Sequence, residues 1–176
     1  MNKAYWAAGL TFLSAIGAMA AQGGAVACFE SAESLRGMGR YQAVQLCSAA
    51  KSAAPAQCYL KAMEIRGVSN HEARILCTSA ESLAPAECYV EGQSVARLTR
   101  AEALRVCAGT QSFQGVFNCL KMATDDARMG RYQAMELCGG ASDAAPAECY
   151  IAANQGARLP QNDALELCRI RDRFRP

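Results

Sequence analysis

Histidine is almost absent from this chain: His71 is the only one in 176 residues. A Ser–His or Cys–His couple needs that side chain as its base, so the sequence leaves little room for nucleophilic catalysis. His71 itself falls in the first turn of an expected helix, inside a capping sequence that faces solvent. Closely spaced cysteines are also missing. Zinc sites use cysteine pairs two to four residues apart, usually with histidine, and no two cysteines here lie nearer than 11 residues. Charge of one sign is lacking as well. The formal net charge is +2, which carries no nucleic-acid footprint. Runs of alternating apolar and polar residues rich in β-branched side chains do not occur, which argues against strands. No glycine-rich loop suited to phosphate follows any apolar segment. After residue 20 no apolar run is long enough to cross a bilayer. We therefore expect no catalytic residue, no cofactor, no metal and no nucleic-acid partner.

The amino terminus reads as an export signal. Met1-Asn2-Lys3 is a short basic start, Ala4 to Ala20 is uncharged and mostly apolar, and Ala18-Met19-Ala20 fits the small-x-small cleavage rule. Cleavage would make residues 1–20 a leader and 21–27 a linker, with no transmembrane segment left. A retained anchor is one alternative. A lipid attached at Cys28 is another, though Ala25-Val26-Ala27-Cys28 matches a lipobox poorly. The expected location is secreted or periplasmic.

What is abundant is cysteine, and it is periodic. The ten residues are Cys28, Cys47, Cys58, Cys77, Cys88, Cys107, Cys119, Cys138, Cys149 and Cys168. Their intervals alternate between 19 and 11 residues, with one interval of 12 after Cys107. A period of about 30 residues marks a repeat architecture in which each unit buries an apolar face on its neighbours. Five units open at 28, 58, 88, 119 and 149, and a short basic tail follows, within 28–176. Four residues after each opening cysteine stands Ala32, Ala62, Gly92, Ala123 or Ala153. Fifteen after it stands Ala43, Ala73, Ala103, Ala134 or Ala164, and eighteen after it Leu46, Leu76, Val106, Leu137 or Leu167. Spacings of three to four are helical.

Start signals mark two helices per unit. Pro55, Pro85 and Pro146 precede an opening cysteine by three residues, as proline does in a first helical turn. Ser69 with Glu72 and Thr99 with Glu102 are capping boxes. Gly39, Gly130 and Pro160 fill the equivalent turn elsewhere. Each unit is thus an αα-hairpin, and the whole is an all-α short solenoid. In an antiparallel hairpin the two cysteines of a unit meet, which pairs Cys28–Cys47, Cys58–Cys77, Cys88–Cys107, Cys119–Cys138 and Cys149–Cys168. Each bridge would close about 20 residues and contribute roughly 3 kcal/mol. The rival ladder joins Cys47 to Cys58 and so on, and orphans Cys28 and Cys168. Stapling of this kind belongs to oxidising compartments. The plan resembles in outline the secreted helical-hairpin repeats of Sel1-like proteins. Its period and cysteine spacing differ from theirs, so the resemblance implies no functional residue.

Two features stand out against the repeat. Every unit carries an arginine eight or nine residues after its opening cysteine: Arg36, Arg66, Arg97, Arg128 and Arg158. Arg40, Arg100 and Arg131 follow in the turn, beside Tyr41 and Tyr132. Side-by-side hairpins would line all of these along one edge, able to hold an acidic protein or an anionic envelope polymer. Arginine in the last turn of a helix also caps free carbonyls, which would explain one per unit without a ligand. The other feature is the longer junction between units three and four, which lacks proline and carries Phe113 and Phe117. These rings are a candidate apolar contact or a filler of a wider gap. Units one and four share Met-Gly-Arg-Tyr-Gln-Ala, at 38–43 and 129–134. The leading expectation is an exported binding module that is not an enzyme. A structural envelope protein is an alternative, and a hydrolase with carboxylates assembled between units is a second.

Overall fold

The computed structural model describes residues 13–170, with side chains from residue 23 onward. Ten α-helices follow one another: α1 Leu13–Glu33, α2 Arg40–Cys47, α3 Ala54–Met63, α4 Asn70–Cys77, α5 Ala84–Ser94, α6 Arg100–Cys107, α7 Phe113–Asp125, α8 Arg131–Cys138, α9 Ala145–Ile151 and α10 Gln161–Cys168. A π-helical turn, Ala152–Gly156, extends α9. The described residues form no strand. Odd helices pack on odd and even on even along the stack, and each odd helix packs on the even helix that follows it. The architecture is therefore a two-layered solenoid of five hairpins.

The signals read in the sequence act where expected. Proline stands in the first turn of α3, α5 and α9. Ser69 and Thr99 accept from the N–H groups of Glu72 and Glu102, whose carboxylates accept in turn from the cap amides. The amide of Gly39 donates to Gln42 Oε1 at 3.0 Å. All five disulfides close within a unit, with Cα atoms 5.5 or 5.6 Å apart. Helices of eight residues are too short to persist alone in water. The staple and the neighbouring units hold them.

The core is built from small residues, so the helices approach closely. Ala43, Ala73, Ala103, Ala134 and Ala164 are all fully buried. So are Leu46, Leu76, Val106 and Leu137 at the position that meets the next unit. Gly92 stands at the alanine position of the third unit, where an added Cβ would lie 3.3 Å from Leu98 Cδ1, 3.6 Å from Ala103 Cβ and 3.7 Å from the Phe117 ring. The long junction holds Thr110 at a site that is alanine in the other junctions. Its hydroxyl is fully buried, 3.0 Å from Ala141 O, and accepts from the amide of Ser112. Thr110 thus ties this junction to the next one.

Residues 21–27 correct the expectation of a linker: they are helical and continuous with α1. Gly24, four residues before Cys28, is buried against the chain at Lys51 and Ser52. Gly115, four before Cys119, lies in the same way against Ser142 and Asp143. Units two, three and five have alanine here, followed by the proline that starts the helix. Where the helix runs on past this point, only a residue without Cβ lets the next junction come this near. Residues 1–12 of the expected leader, and 171–176 of the basic tail, lie outside the described residues.

Candidate functional site

The hairpin tips form one edge of the stack, and the structure divides its arginines into two sets. The first set is bound into the fold. Arg100, in α6, donates from Nε to Glu72 Oε1 at 2.8 Å, and its Nη2 donates to both Glu72 Oε2 and the carbonyl of Gly67. Arg131, in α8, repeats this on the next unit, with Nε 2.9 Å from Glu102 Oε1 and Nη2 3.0 Å from Oε2. It also approaches the carbonyl of Arg97. Asn70 takes the same role one unit earlier and donates to Gly37 O at 3.3 Å. Each of these side chains therefore grips the tip of the unit before it.

Electrostatics follow from the geometry. The Arg100 guanidinium, with Ser69, holds the Glu72 carboxyl down at about 2. Arg131 and the amide of Thr99 do the same for Glu102, also at about 2. A bidentate guanidinium–carboxylate pair that also satisfies helix-cap amides is stronger than an ordinary surface pair. The sequence showed Glu72 and Glu102 only as capping residues. The signal of their second role was the matching arginine 28 or 29 positions on.

The second set points outward. Arg36, Arg66, Arg97, Arg128 and Arg158 are all exposed. None lies in the last turn of a helix; each sits in the tip beyond the helix end. Capping from the last helical turn, the rival reading of these residues, is thus not their position. Among the described residues none of the five forms an ion pair. In the first two units the residue after the arginine is glycine with positive φ, at Gly37 and Gly67. In the other three the arginine itself holds that left-handed place, with φ of 49° at Arg97, 52° at Arg128 and 58° at Arg158. Neighbouring tips touch through the bonds above and follow the helix packing distance, about 10 Å. Tyr41 and Tyr132 flank the row and are exposed. Arg40 is exposed as well, 3.9 Å from Glu33 and over the Phe29 ring at 5.9 Å. Asp125 and Asp126, also exposed, lower the positive potential beside Arg128.

The other candidates fall elsewhere. Phe113 and Phe117 meet with ring centroids 4.5 Å apart and planes tilted by 55°, half-buried against the core of the first three units. His71 is exposed, its Nδ1 3.0 Å from Arg74. Glu64, Glu87 and Glu91 line an open groove of about 460 Å³ between α3 and α5, and Glu64 is held by Lys61 at 2.8 Å. Among the described residues no three His, Cys, Asp or Glu side chains come together as a metal site. No helix among them is long and apolar enough to cross a membrane. Five closed disulfides fit an oxidising, extracytoplasmic environment. No protein-family model, curated protein or solved structure matches the chain.

Proposed function

We propose that this protein is an exported, non-catalytic binding module, and that the outward arginines of the hairpin tips hold an extended anionic partner of the cell envelope. One observation carries the reading. Three tips place arginine where the backbone is left-handed, a conformation that disfavours a side chain by about 1–2 kcal/mol and that glycine adopts freely. Among the described residues the same tips leave that arginine without an ion pair. Strain kept at an exposed, unpartnered charge points to use of that charge. Guanidinium groups repeated at unit spacing suit carboxylates or phosphates repeated along a polymer or an acidic protein.

The test is capture from envelope extract by the oxidised protein, at low and high salt, with proteins and glycans both identified. The Arg97→Glu/Arg128→Glu/Arg158→Glu variant is run in parallel. The expected result is a partner released by salt and lost by the variant, whose helical circular dichroism is unchanged. Equal capture by the variant and the parent would refute the tip row. The regular stapling favours a second reading, a structural envelope protein, for which no specific partner is captured at either salt.

A further inference from the structure

We infer that the two ends of the stack are complementary to each other, and that a second copy of this chain docks head to tail, its first unit on the fifth unit of its neighbour. This inference does not rest on the tip arginines. It rests on comparing each end with the same positions inside the stack. In units one to four the aliphatic residue eighteen after the opening cysteine is fully buried by the next unit; Leu167, its counterpart in unit five, is 65% exposed. The opening cysteines Cys28, Cys58, Cys88 and Cys119 are fully buried, whereas Cys149 is exposed. The first unit shows the reciprocal face. Two residues before the opening cysteine, Ala56, Ala86 and Ala147 are buried, but Val26 is 56% exposed. Sixteen after it, Met135 is buried and Val44 is 52% exposed. Stacked repeats that end on a polar cap stay separate. These ends carry apolar residues instead.

Charge sets the register. Inside the stack, the carboxylate fourteen residues after one opening cysteine pairs with the arginine twelve after the next, as Glu72 with Arg100 and Glu102 with Arg131. Unit five offers Asp163 at the first position and unit one offers Arg40 at the second, neither with an inter-unit partner of this kind among the described residues. A backbone bond has the same logic. Gly109 N–H donates to Leu76 O at 3.1 Å, and Gly140 N–H to Val106 O at 2.9 Å. The corresponding groups at the ends are the amide of Ala49 and the carbonyl of Leu167. Unit one placed on unit five of another copy therefore continues the same solenoid. A contact between unlike faces does not close on itself as a two-fold dimer and propagates into rods.

The experiment is sedimentation velocity of the oxidised chain, recovered from an exporting host with its amino terminus fixed by mass spectrometry, across a hundredfold concentration range. We expect species that grow beyond the dimer with concentration. Leu167→Glu, at an exposed site that leaves the unit folded, weakens association by roughly 10- to 100-fold. Arg40→Glu weakens it by about 3- to 10-fold. The double variant Arg40→Glu/Asp163→Arg restores it to within about 3-fold of the parent. A protein that is monomeric throughout overturns the inference. So does a closed dimer indifferent to Arg40 and Leu167. A monomer that associates only once residues 171–176 are removed shows that its own tail covers the fifth unit, and overturns docking of a second copy in the intact protein.

Discussion

Gly23 and Gly24 are neighbours in one helix, and the structure predicts opposite outcomes when each is changed to alanine. At Gly23 an added Cβ meets nothing within 4 Å. Gly23→Ala therefore gives only the helix-propensity gain, about 0.8–1.0 kcal/mol. At Gly24 the Cβ would lie 2.3 Å from both the carbonyl carbon and oxygen of Lys51, and 2.8 Å from the amide of Ser52. These are backbone atoms, and no rotamer can move them aside. The junction must retreat by about 1 Å to reach ordinary contact, and it is anchored by the Ala50 amide on Cys47 O. Overpacking of this kind costs about 1–3 kcal/mol. Contact with rigid backbone belongs at the top of that range. Less the propensity gain, Gly24→Ala should lose about 2 kcal/mol. Chemical denaturation with disulfides intact measures both. The two variants should differ by roughly 3 kcal/mol, with opposite signs. Two stabilised variants would show that the helix before Cys28 does not pack on the second junction, and would refute the reasoning.

Two further predictions follow from the same contacts. Glu72 and Glu102 are held at about 2 in the fold, against an ordinary carboxyl value of 4.5. A lowered folded value gives stability that is complete above about 4.5 and is lost as pH falls towards about 2. Thermal midpoints from pH 7 to pH 2 should show this loss, and Glu72→Gln/Glu102→Gln should flatten it. An unchanged acid profile in that variant would mean the inter-unit pairs do not hold in solution. Ala49 and Ser79 stand two residues after a closing cysteine with φ of 59° and 60°, where units three and four use Gly109 and Gly140. Ala49→Gly and Ser79→Gly should each stabilise by about 1 kcal/mol in denaturant titration. Destabilisation by either would show that the backbone there is not left-handed.

The hairpins and their staples were legible because each is fixed by residues close in sequence. Proline in a first turn, a hydroxyl three before a carboxylate, and a pair of cysteines bracketing one turn all act within a single unit. The helix through residues 21–27 was not legible. Gly23-Gly24 reads locally as a break, and only the approach of Lys51 explains the second glycine. The edge was half legible. Arg100 and Arg97 are three residues apart and identical in type, yet one is tied to Glu72 and the other is exposed in a tip. The difference lies in a partner 28 residues away and in one backbone angle. Neither is visible until the units are stacked.

The staples also set how far the chain can be drawn out under tension. Each bridge holds two Cα atoms 5.5 or 5.6 Å apart across 19 residues, which pulled straight would span about 65 Å. A force that strips every helix from the oxidised protein therefore cannot extend what lies inside a bridge. It extends only the junctions between units. From Cys28 to Cys168 the taut oxidised chain measures about 180 Å, against about 490 Å once reduced. Thiol chemistry thus decides whether this protein behaves as a short strap or a long tether.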